Sequence, residues 1–175
     1  MGLDRRTGGL LGTSASIVAG LLIIWVLWII YVRGVASAFE APTVYVMACL
    51  VALGPVALAG YSAYARRAYW HMTRISPIAI VLGALAVALG HSYSYLVGGG
   101  LIVAAYVIEL VVGVKLYEDL REHTRLGAAL FIAGVTVFML SLPAVIALRQ
   151  AALVSIAGDA VKIIGLALIL VRMSG

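Results

Sequence analysis

Long runs without a charged residue are the feature that most constrains the fold of this chain. Leu10 to Val32 and Thr43 to Ala65 each span 23 residues and contain no charged side chain. As an α-helix, each run would be roughly 34 Å long, which is enough to cross a hydrocarbon core of about 30 Å. Because no segment shows the alternating pattern of a membrane β-barrel, the runs predict transmembrane helices.

A third run, from Ile75 to Ile108, is too long for one crossing. Its 34 residues would form a helix of roughly 51 Å, about 20 Å longer than the bilayer core. The polar segment 91–95 and the glycines at 98–100 supply a turn inside it. The chain is therefore predicted to be one all-α integral membrane domain over residues 1–175, a six-helix bundle built from three hairpins. The predicted spans are about 10–32, 43–65, 75–95, 98–116, 126–148 and 151–171.

The composition excludes soluble classes of protein. The chain is 65% hydrophobic and 11% charged, whereas globular domains average about 45–50% and about 25%. A soluble enzyme or a nucleic-acid-binding domain is excluded, and the partner that the composition indicates is the lipid bilayer. Asparagine is absent, and arginine outnumbers lysine ten to two, a pattern that points to a thermophilic source.

The basic residues predict the orientation. With a cytoplasmic N-terminus, nine basic residues lie on the inner side and only Arg33 and Arg149 on the outer side. This distribution follows the positive-inside rule. We therefore expect a multi-pass protein of the cell membrane with both termini in the cytoplasm. The nine inner residues are Arg5, Arg6, Arg66, Arg67, Arg74, Lys115, Arg121, Arg125 and Arg172.

Small residues form one face of the first predicted span. They recur at helical spacing and allow a neighbouring backbone to approach closely. Two interpretations stay open: another helix of the same bundle packs there, or a second subunit docks there, as a protein partner or in a homo-oligomer. The face consists of Gly8, Gly12, Ala15, Ser16, Ala19 and Gly20.

Three ionisable residues lie near the predicted bilayer midplane. Glu109 is about ten residues past the turn at 98–100, and Lys162 is 11 residues past Ala151 with Asp159 one helical turn away. Both depths correspond to roughly 15–16 Å from the outer end. A charge at that depth costs about 2.5–3.5 kcal/mol if it faces lipid, so the three side chains are expected to face inward. Thr136 and Ser155 lie close enough in depth to add hydroxyl groups.

This polar cluster has a functional and a structural interpretation. Two carboxylates and one ammonium group would form a net negative site that suits a cation, a proton or an amine-bearing solute. Alternatively, a buried Asp159–Lys162 pair sets the helix register and Glu109 is protonated or bonded to a hydroxyl. No segment has metal-ligand spacing, a matched histidine pair for haem, or a catalytic triad. The sequence thus predicts no catalytic, cofactor-binding or metal-binding residue.

Two resemblances bear on the family. The stretch 116–127, followed by Phe131 and Gly134, resembles the closing part of a family of small archaeal multi-pass membrane proteins whose function is not established. The glycine-rich opening at 8–12 is similar to the start of that family. The chain also resembles, more weakly, the substrate-binding subunits of energy-coupling-factor vitamin transporters, which have about six helices in a similar length. Their first helix uses small residues such as Ala15-x-x-x-Ala19 to engage a partner.

Two functions of different classes follow. The first is a non-enzymatic structural or accessory component of an archaeal membrane assembly. The second is a carrier or channel for a small solute, a cation or a proton that uses Glu109, Asp159 and Lys162. A water-accessible cavity at these residues would favour the carrier, whereas a closed bundle would favour the accessory role.

Overall fold

In the computed structural model, residues 4–61 and 122–174 are described, together with the positions 82, 97, 100, 104, 107, 110, 111, 113, 114, 117 and 118. Within these residues the chain is helical, which confirms the all-α fold class. The two continuous described ranges contain four α-helices: α1 (Arg5–Arg33), α2 (Ala41–Tyr61), α3 (Glu122–Ala147) and α4 (Ala151–Ser174). A 3-10 helix (Val35–Phe39) connects α1 to α2.

Three of the described helices are long and apolar enough to cross a membrane. The qualifying segments are Arg6–Arg33, Arg125–Ala147 and Ala151–Arg172, in α1, α3 and α4. They correspond to the first, fifth and sixth predicted spans, and α2 covers the second with a shorter apolar segment, Ala41–Leu50. The third and fourth predicted spans lie largely outside the described residues, where only isolated positions are described. The described part of the chain therefore contains three membrane-length helices, against six predicted for the whole chain.

Local chemistry sets both ends of α1. The side chain of Asp4 accepts a hydrogen bond of 2.6 Å from the backbone N–H of Thr7 and caps the helix. Because this cap satisfies a free N–H of the first turn, α1 begins at Arg5, ahead of the predicted start at Leu10. The other end closes at Gly34, whose N–H donates to the carbonyl of Ile30 at 2.8 Å. Gly34 has a φ of 92°, which favours glycine.

The hairpin of α3 and α4 has the most extensive contact between helices in the described part of the chain. Six buried residues of α4 that carry side chains recur at intervals of three and four, and Gly158 and Gly165 are buried beside them. This is the spacing of two helices packed side by side at a shallow angle. Glycines of the two helices also face each other. A Cβ added at Gly127 would lie 2.8 Å from the carbonyl oxygen of Gly165, and one at Gly158 would lie 2.7 Å from the nitrogen of Phe138. The buried stripe of α4 consists of Ala152, Ser155, Asp159, Lys162, Leu166 and Ile169.

Helix α1 packs against α2 on one side and α4 on the other. Two apolar clusters result, and residues of α1, α3 and α4 contribute to both. The cluster nearer the start of α1 contains Ala15, Ala57, Ala128, Phe131, Val135, Leu166 and Ile169. The cluster nearer its end contains Val26, Leu27, Ile30, Phe138, Val145 and Ala152. Along α4, Asp159 and Lys162 lie between the residues of the two clusters, so the polar site described next is bounded by apolar packing above and below.

Candidate intramembrane polar site

Asp159 and Lys162 form an ion pair inside the bundle. Lys162 Nζ lies 2.6 Å from Asp159 Oδ1, and the two side chains are 3% and 0% exposed. The i, i+3 spacing places both side chains on one face of α4. They lie roughly 12 and 16 Å along the helix from Ala151. The sequence-based expectation that these two groups face inward agrees with this burial.

The walls of the site come from α1 and α3. On α1, Gly20 faces the pair, and a Cβ added there would lie 3.1 Å from Asp159 Oδ2 and 2.9 Å from the side chain of Ile163. On α3, the ring of Phe138 lies beneath the ammonium group, with Nζ 5.7 Å from the ring centre. This distance suits a cation–π contact. Gly134 also meets the backbone of Lys162, so backbone and ring surround the pair closely.

The carboxylate of Asp159 has few partners. Apart from the ion pair, neither of its oxygens accepts a hydrogen bond from any residue in the described ranges. A buried carboxylate without donors is costly to hold in its charged form. The positive charge of Lys162 therefore offsets the cost of burying the charged carboxylate of Asp159.

Ser155 lies one turn from Asp159 and pairs with a residue that the sequence analysis did not single out. Its hydroxyl oxygen is 2.7 Å from that of Ser141 in α3. Ser141 can also donate to the carbonyl of Val137 at 2.8 Å, and Ser155 to that of Ala151 at 3.3 Å. One signal was available: Ser141 follows Gly127 and Gly134 at intervals of seven, so it shares their face of α3.

Thr136 and Glu109 are the remaining residues predicted for this site. Thr136 is half-buried, and its hydroxyl donates to the carbonyl of Ile132 at 2.8 Å within α3. Glu109 lies outside the described residues. Of the five residues predicted for this site, the structure thus brings Asp159 and Lys162 into contact and places Ser155 on the same buried stripe.

Neighbours within the same chain occupy the small-residue face of α1. A Cβ at Gly60 of α2 would overlap the backbone of Gly8 and Gly12, so the two helices touch there. Ala15 and Ser16 are buried, Ala19 is half-buried, and Gly20 faces α4. The contacts correspond to packing within one bundle, and docking of a second subunit on this face stays a prediction.

The arrangement limits the chemistry available to the pair. Among the described residues, no group of three or more histidine, cysteine or acidic side chains could hold a metal ion.

A cleft of about 310 Å³ lies at the end of the bundle, lined by Tyr31, Val32, Arg149 and Gln150. Arg149 and Asp159 are ten residues apart, which places the mouth of the cleft roughly 15 Å along the bundle from the pair. The pair is therefore an enclosed ionic contact, with both side chains almost fully buried.

Comparison of the chain with protein families, curated proteins and solved structures finds no match.

Proposed function

We propose that this chain is an integral membrane protein without catalytic activity, a structural or accessory component of an archaeal membrane assembly. It spans the cell membrane with six helices, and both termini lie in the cytoplasm. The three membrane-length helices support the membrane placement, and the excess of basic residues on one predicted side supports the orientation. The archaeal assignment rests on the sequence resemblance.

The enclosure of the Asp159–Lys162 pair is the observation that carries the accessory role. A carrier must expose its site to water on at least one side of the membrane, whereas these side chains are 0% and 3% exposed. The close backbone contacts at Gly134 and Gly158 leave the helices tightly apposed beside the pair. Some buried polar groups act as register devices. Here both charges lie on α4, and their contacts with Phe138 of α3 and Gly20 of α1 would fix how the three helices pack, which suits a component that presents a constant surface.

Purification from native membranes tests the accessory role. We expect the chain, extracted in a mild detergent, to migrate with a second protein in a fixed ratio. The ratio should persist when native membranes are cross-linked before extraction. A chain that migrates alone at the mass of a monomer in both preparations would contradict the proposal.

The proposed topology has its own test. We expect a green fluorescent protein fused to the C-terminus to fluoresce, and alkaline phosphatase fused there to stay inactive, because both report a cytoplasmic end. Matched fusions in the turn at 148–150 should give the opposite result, since this turn is assigned to the outer side. An active phosphatase at the C-terminus would overturn the orientation.

The second candidate function is a carrier for a proton, a cation or an amine-bearing solute. Its support is the carboxylate of Asp159, which apart from its ion pair with Lys162 accepts no hydrogen bond from a described residue, together with the predicted depth of Glu109. Proteoliposomes with a pH-sensitive dye or with Na⁺ and K⁺ indicators test it. A carrier predicts flux that Asp159→Asn and Glu109→Gln abolish while the protein still folds, whereas the accessory role predicts no flux above that of empty liposomes.

A further inference from the structure

The cleft at the end of the bundle is a second polar feature, separate from the buried pair. It lies where α1 and α3 end and α4 begins, with Tyr31 and Val32 on one wall and Arg149 and Gln150 on the other. Its volume of about 310 Å³ is at the lower end of the range for small-molecule sites.

Three hydrogen-bond donors line this cleft without partners in the described part of the chain. They are the guanidinium group of Arg149, the side-chain amide of Gln150 and the hydroxyl group of Tyr31. Arg33, near the same end of the bundle, differs because it pairs with Glu40 at 2.8 Å. None of the described residues that line the cleft is acidic. The described lining therefore carries a net positive charge, and its three donor groups have no partner among the described residues.

The cleft lies at the level of the membrane–water interface. Tyr31 is two residues before the end of α1, and Arg149 is in the turn between two membrane-length helices. The ring of Trp28 lies 5.7 Å from that of Tyr31, and Trp28 is half exposed. Tryptophan and tyrosine gather at the depth of lipid headgroups, so the cleft opens where headgroup phosphates are concentrated.

We propose that the cleft binds the phosphate of an anionic phospholipid headgroup. The planar guanidinium of Arg149 suits two phosphate oxygens at once, and Gln150 and Tyr31 can donate to the oxygens that remain. Because none of the described lining residues is acidic, these residues offer no opposite charge to the ammonium group of a zwitterionic headgroup. Val32, which is 55% exposed, continues the wall toward the acyl chains. This proposal rests on the membrane placement above but on neither candidate function.

Native mass spectrometry of the full chain, purified with phosphatidylglycerol or phosphatidylcholine, tests this proposal. We expect phosphatidylglycerol to be retained preferentially, and Arg149→Gln to lower that retention about tenfold, the loss of one charged hydrogen-bonding partner. Arg149→Lys should give an intermediate value, because lysine keeps the charge without the paired geometry. The matched control is Arg33→Gln, which removes the same charge at the same end and should leave retention near that of the wild type.

Three outcomes would overturn the proposal: equal retention of the two lipids, equal losses in the two arginine variants, or saturation by inorganic phosphate without any lipid preference. Because Arg149 is exposed, its variants should keep the thermal stability of the wild type in phosphatidylcholine. A wrong membrane placement would be detected in a separate experiment, because alkaline carbonate would then release the chain from membranes.

Discussion

Two ion pairs in the described part of the chain have nearly equal lengths and opposite surroundings. Lys162 and Asp159 are 2.6 Å apart and almost fully buried, whereas Arg33 and Glu40 are 2.8 Å apart with side chains 56% and 45% exposed. Water and salt can screen the exposed pair, and each of its groups is well solvated when the other is removed. The buried pair has no such alternative. The comparison shows that surroundings, more than distance, decide what an ion pair contributes to a fold.

Removal of one member of the buried pair should give the largest effect. We expect Lys162→Met to lower the free energy of unfolding by about 3–5 kcal/mol, because Asp159 would be left as a buried charge without its partner. Thermal or denaturant unfolding in detergent measures the change. Arg33→Met, which removes the same kind of charge from the exposed pair, is the matched control, and equal losses in the two variants would contradict the comparison.

Disruption of the glycine contacts beside the pair should give the second-largest loss of stability. Gly158→Ala should lower the free energy of unfolding by about 1–3 kcal/mol, the usual cost of overpacking. Its Cβ would lie 2.7 Å from the nitrogen of Phe138 and 3.0 Å from the carbonyl oxygen of Gly134. Gly100→Ala provides the control, since nothing lies within 4 Å of a Cβ added there. A Gly158→Ala variant as stable as Gly100→Ala would show that α3 and α4 are not closely apposed.

Disruption of the exposed pair should change the free energy of unfolding only slightly, and by an amount that depends on salt. We expect Glu40→Gln to change the free energy of unfolding by only about 0.2–1 kcal/mol at low ionic strength and by less at high ionic strength. Unfolding midpoints measured across a salt series test this expectation. A loss as large as that of Lys162→Met, or one that salt does not reduce, would mean that the pair is more enclosed than its exposure indicates.

Protonation of Asp4, which caps α1, should give the smallest loss of stability. The hydrogen bond from the backbone N–H of Thr7, followed by the bond from its side chain, holds the pKa of Asp4 below its usual value. The carboxylate of Asp4 thus binds a proton less readily in the folded state than in the unfolded chain. The stability that the cap contributes is therefore present at neutral pH and falls as the pH drops through the lowered pKa. Hydrogen exchange of the first turn of α1 across an acid series measures this loss. Asp4→Asn can still accept the capping bond and should remove the pH dependence, and an unchanged acid profile in that variant would contradict the assignment.

The sequence was informative where a single helix carries the signal. Charge-free runs predicted α1, α3 and α4, because the apolar length needed to cross a bilayer can be counted along one segment. The same logic placed Asp159 and Lys162 on one inward face, since i, i+3 spacing fixes their shared side and the cost of burial fixes its direction.

The contacts between helices could not be predicted from the sequence. The pairing of Ser141 with Ser155 and the apposition of Gly134 with Gly158 depend on the relative register of α3 and α4, which no single helix encodes. Likewise, the small-residue face of α1 showed that something packs there but not that α2 and α4 are the neighbours. The depth match of Glu109 with Asp159 stays a prediction, because Glu109 lies outside the described residues.

The most direct test of the account is the unfolding free energy of the double variant Asp159→Leu/Lys162→Met, compared with that of each single variant. If the pair has a purely structural role within a closed bundle, replacement of both charges by apolar side chains should recover most of the stability that either single change removes, because no buried charge is then left without its partner. The account predicts a double variant close to the wild type. A double variant that loses the sum of the two single losses would contradict it.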